Sequence, residues 1–356
     1  MEEEIKKSPF SEMLFDQIRN RKYYCKRNIC TFERRPKDCF CITIKDNEVV
    51  PVAGLERGRG HDIGVNFDVN GIPPEQWYSS SIFWHQRIAP WRRFIISVLR
   101  KYKLPNCNIN INAFDHPIPG VLNFCRFKGQ KNCFLLPSFR FTYGNGICLD
   151  DNWEKGCCPT FKETTEYLQS YHDKYPFNEK INKIYTATDA GQRLDYFLYA
   201  LEHDFCTGWM YITPWHGWRG LDKQNPKLTR ELEKRNLAGP KHKHYCEHFK
   251  YKYILYNDGN TLSVRTKLLL NTNSVIISKE SPYEEFYSYL LKNNENLIMY
   301  KKQEDLQNIY INLEYNTDLC KKIINNNRNF IKEILTYDNI LEYMYLLIKY
   351  VVAYDN

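Results

Sequence analysis

No run of about 18 uncharged apolar residues occurs in the 356-residue chain, so the sequence offers no membrane-spanning helix. The opening MEEEIKKSPF has acidic groups and lacks the apolar stretch of a signal peptide. No N-x-[ST] acceptor occurs despite abundant asparagine. Both absences point away from a secretory route, towards a cytoplasmic location and reduced thiols for the 13 cysteines. Gly and Pro, 16 of each, are scattered, which excludes a collagen-like or Pro-rich spacer. Charge of one sign is also missing: 50 basic residues interleave with 42 acidic ones, and the net charge of +8 is mild. That balance suits a phosphate-bearing small molecule as well as a nucleic acid. Neither a Walker A loop nor a GxGxxG fingerprint is present, and there is no internal repeat.

What is present is material for a core, with 43% hydrophobic and 15% aromatic residues. A chain of this length is expected to form two domains of about 150 residues. The polar stretch from Asp150 to Asn178 places the boundary near residue 170, giving segments 1–170 and 171–335 and a final helix over 336–356 that packs back. Residues 1 to 60 mix basic, aromatic and Cys residues with little periodicity and read as an irregular cap, apart from a short amphipathic start at Phe10 to Ile18. Apolar spacing predicts a helix from Gln86 to Tyr102, and NCNININ predicts a strand that stops at AFDHPIP. Asp115 then falls on the loop at a strand's end, with His116 beside it. In the second half strands, turns and helices alternate, the pattern of a parallel sheet. SPYEEFYSYLLK reads as a helix with a Ser-Pro start, Glu284 facing solvent and Glu285 either accepting from ribose hydroxyls or an exposed helix carboxylate, and the segment after Glu304 reads as amphipathic helices.

Two junctions have what a diphosphate needs: small or hydroxyl residues at a turn, free N–H groups at a helix start and an arginine just inside. The first is Thr186-Ala187-Thr188-Asp189-Ala190-Gly191-Gln192-Arg193, and the second is Asp258-Gly259-Asn260-Thr261-Leu262-Ser263-Val264-Arg265. Strand, turn and a Thr or Ser cap also begin ordinary helices. Ligands of an open parallel sheet bind outside the strands' carboxyl ends, so two such turns would line one crevice.

The segment YKYILYNDGNTLSVRTKLLLNTNSVIISKESPYEEFYSYLLKNNENLIMYKK resembles the signature region of the protein O-glucosyltransferase (Rumi-like) family and its relatives in capsule synthesis and lipopolysaccharide modification. INAFDHPIP is similar to that family's strand-end D-x-P, LLPSFRFT to its P-x-F-S-F segment, and the C-terminal helices to its ending. The resemblance implies an α/β chain of GT-B architecture: two Rossmann-like lobes with a donor cleft between them, acceptor on the N-terminal side and nucleotide sugar on the C-terminal side. It implies Asp115 as catalytic base. Donor contacts would come from Thr186, Thr188, Arg193, Asn260, Thr261, Leu262, Ser263, Val264, Arg265 and Glu285. Tyr185, Thr186 and Ala187 stand where the family has R-G-S, so either Thr186 or Thr188 would supply the hydroxyl.

Other constellations compete. His242, His244, Cys246 and His248 have zinc-ligand chemistry and would share one face if they lay on a strand, but lack finger spacing. Asp150 and Asp151 lack the hydrophobic strand of a D-x-D metal motif and are expected near the sugar or in solvent, and Trp218 is a candidate sugar platform or core residue. The resulting expectation is an inverting transferase, moving glucose or xylose from a UDP-sugar to a hydroxyl of a glycan or protein. No metal or other cofactor and no nucleic-acid partner is expected. The rival reading is a non-catalytic glycan- or nucleic-acid-binding protein on a degenerate transferase fold. The Asn, Lys, Ile and Tyr bias suggests an AT-rich genome, of a virus or a parasite, and for a virus the location would be host cytoplasm.

Overall fold

A computed structural model describes residues 1–27, 39–50, 91, 94–112, 116–138, 161–189, 194–212, 225–239, 243, 245–259, 261–263 and 265–354. The chain divides into two compact units. The first combines Met1–Thr164, Pro282–Tyr289 and Ile334–Asn356, and the second combines Thr165–Ser281 and Leu290–Glu333. No helix among the described residues is long and apolar enough to cross a membrane.

The first unit is built on a mixed sheet. Its strands are β1 (Cys39–Lys45), β2 (Glu48–Val49), β3 (Cys107–Asn112), β4 (Leu122–Asn123) and β6 (Phe134–Leu135), while β5 (Arg126–Phe127) pairs elsewhere. The order is β2-β1-β3-β4-β6, antiparallel among the first three and parallel beyond. The irregular cap expected for residues 1 to 60 is corrected here, because CFCITIK is a central strand paired along its length with β3. Alternation explains the pairing: Phe40, Ile42, Ile44, Ile109 and Ile111 are buried on one face. Asp46 and Asn47, both at positive φ (53° and 62°), make the tight β1–β2 turn, a conformation Asp and Asn adopt at little cost.

The other face of β3 is polar and also buried. Asn110 Nδ2 donates to the carbonyls of Cys25 (2.6 Å) and Arg27 (2.9 Å). Asn112 Nδ2 donates to the carbonyl of His116 (2.7 Å) and to Asn123 Oδ1 (2.9 Å), and that oxygen also accepts from the Ile118 N–H (2.8 Å). These asparagines satisfy irregular main chain that would otherwise be buried without partners. Helix Ser11–Asn20 and helix Tyr337–Leu347 pack nearby through Phe10, Phe286 and Tyr343, with ring centroids 4.7 to 5.5 Å apart.

SPYEEFYSYLLK does not form the expected helix. Tyr283–Glu284 is a short strand, β12, antiparallel to β5, and Ser288–Leu290 is a single 3-10 turn. Glu284 is not solvent-facing either. Its carboxylate accepts from Arg126 Nε (2.8 Å), and Arg126 Nη2 donates to Asp16 Oδ2 (2.8 Å). A buried guanidinium with two carboxylate partners overrides the helical pattern of the segment.

The second unit is a six-stranded, wholly parallel sheet. Its strands are β7 (Ile181–Asp189), β8 (Cys206–Tyr211), β9 (Ala238–Gly239), β10 (Tyr251–Tyr256), β11 (Val275–Lys279) and β13 (Ile298–Tyr300). Their order is β9-β8-β7-β10-β11-β13. The chain starts in the middle at β7, moves outward through β8 and β9, then returns to the other side of β7 at β10. This is the doubly wound Rossmann order, and its topological switch point lies between β7 and β10. One face packs Ile184, Tyr253, Leu255, Val275 and Ile277 against helix Leu194–Glu202 and helices Asp305–Tyr315 and Thr317–Asn329. Gly208 is required where β8 passes β7: a Cβ there would sit 2.5 Å from the Thr186 carbonyl oxygen.

Candidate active site

In an open parallel sheet, the adjacent loops diverge at the switch point and leave a crevice beyond the strand ends. Here the loops in question follow β7 and β10, the two junctions singled out from the sequence. Thr261 and Leu262 are buried, and the Gly259 N–H donates to the Thr261 carbonyl (2.8 Å), closing the turn. The Ser263 carbonyl accepts from Tyr256 Oη (2.9 Å) and Thr266 Oγ1 (3.2 Å), which ties the loop to both its strand and its helix.

Arg265 is the residue these bonds aim. Its Nε donates to Ser263 Oγ (3.2 Å) and its Nη1 donates to the carbonyl of Ala187 on β7, so the side chain crosses the switch point. Its Nη2 is buried and has no hydrogen-bond partner among the described residues. Nor does any carboxylate pair with it there. A buried charged donor left unmade costs about 1–3 kcal/mol or more, and an anion is the group that would remove that cost.

Among the described residues, the charge of Arg265 acts on aromatic neighbours, Tyr185, Tyr245 and His248. The ring of Tyr185 stacks on Tyr251 (centroids 4.2 Å apart) and meets His248 edge-on at 5.2 Å, while His248 lies against Tyr245 at 4.8 Å. Burial, then the charge of Arg265, push the His248 imidazole down to about 3, so it stays neutral at physiological pH; the Tyr245 carbonyl at its Nδ1 (2.9 Å) opposes that shift only partly. The nearby carboxylate of Glu247 accepts from Lys250 Nζ (2.6 Å). Among the described residues Arg265 therefore has no counter-ion.

The other sequence candidates fall in several places. Thr186 and Thr188 are strand residues, because β7 runs through Asp189; the expected turn starts later, after six paired positions from Ile184 to Asp189 against β8. Both are buried, and alternation puts them on the face of Ile184, opposite Tyr185. The helix after Arg265 is a single turn, Thr266–Leu269, so its dipole adds little and the second junction works through Arg265. Glu285 is buried in the first unit, with its N–H donating to Ser288 Oγ (2.9 Å). His116 is exposed in the first unit, its carbonyl held by Asn112. Asp115, Asp150, Asp151, Arg193, Trp218, Asn260 and Val264 lie outside the described residues.

The zinc quartet needs one correction: Tyr245–Lys250 is a 3-10 turn, so Cys246 and His248 are not strand residues sharing a face. His242 and His244 lie outside the described residues, and among the described ones no group of three or more His, Cys, Asp or Glu could hold a metal. Sequence reasoning missed Tyr185, Tyr245 and His248 as surroundings of Arg265. The only signal was the aromatic and His density of HYCEHFKYKY.

Residues 219–353 match the family model described as glycosyl transferase family 90, a stretch that includes β10, Arg265 and the C-terminal helices. No curated protein matches the chain. Among solved structures it is similar to Anabaena HepE in complex with UDP-glucose, at 8% identity and a TM-score of 0.35 over 50% of each chain. It is similar also to the pneumococcal O-GlcNAc transferase GtfA in complex with UDP and GlcNAc, at 13% identity and 0.34, covering 54% of this chain and 44% of that one. A mutant of S. aureus TarM with UDP, alpha-GlcNAc-glycerol and Fondaparinux aligns at 12% identity and 0.33, over 47% and 36%. The chain thus spans half or less of each of these proteins.

Proposed function

We propose that the chain is a glycosyltransferase of GT-B architecture that binds a UDP-sugar at the switch point of its parallel sheet. The observation that carries this reading is Arg265, reaching from the loop after β10 to β7 with a buried Nη2 that has no partner among the described residues, inside the stretch that matches glycosyl transferase family 90. In the proposed reaction Asp115 takes the proton of the acceptor hydroxyl as its oxygen attacks the anomeric carbon. The bond from that carbon to the diphosphate oxygen breaks on the opposite side, so the configuration inverts and UDP leaves. Charge develops on the leaving diphosphate, and Arg265 with Arg193 stabilises it, the kind of prearranged contact worth about 3–4 kcal/mol in a transition state. Thr186 or Thr188 of β7 would supply a hydroxyl, and the loop after β10, with Asn260, Thr261, Leu262, Ser263 and Val264, further donor contacts. The acceptor is a glycan or protein hydroxyl, and the sugar is glucose or xylose, as the sequence resemblance suggests. No metal is needed in this scheme because the arginines neutralise the diphosphate.

The test is a panel of nucleotide sugars in a thermal-shift assay, followed by UDP release with and without EDTA. A ligand at 100 times its Kd adds about 2.7 kcal/mol of stability. UDP-glucose or UDP-xylose should raise Tm above other nucleotide sugars, and UDP release should survive EDTA. A chain that no nucleotide sugar stabilises would be a binding protein instead, and salt-sensitive affinity for an anionic polymer would identify it.

A further inference from the structure

Beyond Arg265, a second cation follows β9 in the same parallel sheet and lies against β8. Trp209 on β8 is paired in register with Ala187 on β7, the residue whose carbonyl Arg265 grips, so the indole and Ala187 share a face of the sheet. Tyr185, two residues before Ala187, lies on that face too, and the charge of Arg265 acts on its hydroxyl. On the outer side, β9 ends at Gly239, whose main chain lies against the indole. A Cβ there would stand 2.6 and 2.7 Å from Cζ2 and Cη2 of Trp209, closer than real contacts, so only glycine allows the ring this position. Lys243, four residues beyond Gly239, has its Nζ 4.1 Å from the centroid of the same ring.

An ammonium over an indole is held in place by the ring quadrupole without being neutralised. Lys243 is exposed and forms no ion pair among the described residues, so it keeps its charge for an incoming anion. We infer that Lys243, positioned by Trp209 and Gly239, is a second diphosphate-binding cation of the donor site, one that contacts the phosphates as a point charge while Arg265 offers a planar fork of donors. The inference rests on the reading that the switch point takes a nucleoside diphosphate.

Calorimetric titration of the parent and of Lys243→Gln with UDP, UMP and uridine separates the possibilities. Loss of one charge-assisted contact should weaken UDP by about tenfold, weaken UMP less and leave uridine unchanged. Lys243→Arg should retain most of the UDP affinity, and Trp209→Leu should reproduce part of the loss while uridine binding stays the same. If the parent binds UDP and Lys243→Gln binds it equally well, Lys243 is a surface lysine packed on a tryptophan and the inference is wrong while the donor-site reading stands. An equal loss for UDP and uridine would overturn it as well, because the effect would then be structural. A parent that does not bind UDP at all removes the donor-site reading and the inference together.

Discussion

Removing the cation of the Arg126 triad in the first unit should destabilise the fold through the charges left behind. The Arg126 side chain is 6% exposed, that of Glu284 15% and that of Asp16 31%. Burial opposes the guanidinium's charge, but the two carboxylates more than offset it, so its pKa is raised. In Arg126→Met the methionine replaces much of the packed stem, and what is lost is the partner of two carboxylates. Asp16 is near enough to water to be resolvated and contributes little. Glu284 is not, and breaking a buried pair of this kind costs about 3–5 kcal/mol. With Asp16 discounted, the lower end of that range applies, about 3 kcal/mol, or about 6–12 °C in Tm for a unit of this size. Urea unfolding followed by tryptophan fluorescence and circular dichroism would measure it. The charge origin has its own signature: the stranded Glu284 carboxylate should have a raised pKa, so the penalty should shrink as pH falls through that value. Adding Glu284→Gln should recover part of the loss at neutral pH. A penalty independent of pH and untouched by Glu284→Gln would refute this account and point to packing alone.

Two further outcomes are expected. Asp115→Asn, if Asp115 is the general base, should leave UDP-sugar affinity nearly unchanged and lower turnover by about 10² to 10⁴, whereas a structural turn aspartate would cost about 1 kcal/mol of stability with near-normal activity. Lys180 is buried, with Nζ donating to the Thr272 carbonyl (2.7 Å) and Ser274 Oγ (2.8 Å), and burial together with the charge of Arg328 pushes its pKa from 10.5 down to about 7. Because the unfolded chain binds the extra proton between those values, this group makes stability rise with pH above about 7. The rise should be absent in Lys180→Met, by at most about 1.4 kcal/mol per pH unit, as read from urea midpoints between pH 7 and 9. Identical slopes in both proteins would show that the folded protein keeps Lys180 protonated across this range, against the depressed pKa.

How much of this was legible in the sequence depends on where local pattern and tertiary context agreed. The run from Tyr251 to Lys302 was read correctly where its elements are bounded by their own turn chemistry: a strand, the Asn257 to Arg265 turn, and the strands β11 and β13. The doubly wound order could not be read, since which strand lies beside β7 is decided by packing. NCNININ was recognised as a strand, but its asparagines are buried donors to neighbouring main chain, a role that periodicity assigns to solvent-facing residues. CFCITIK was missed because its partner β3 is distant in sequence. The Glu284 segment failed for the opposite reason: its helical spacing is real, but Arg126 and β5 compete for it and win. In the site, Arg265 was found by residue type and place, whereas Tyr185, His248 and Lys243 required the register of β7, β8 and β10.

The most direct measurement of the central claim is the affinity for UDP of Arg265→Ala against the parent, by calorimetry at fixed ionic strength, with Tm recorded on the same preparations. If the guanidinium that bridges β7 and the loop after β10 holds the diphosphate, the substitution should cost about 1.5–3 kcal/mol, a loss of about 10- to 150-fold, in a protein that remains folded. Parent-like UDP affinity in a folded Arg265→Ala protein would place the nucleotide elsewhere and contradict the account.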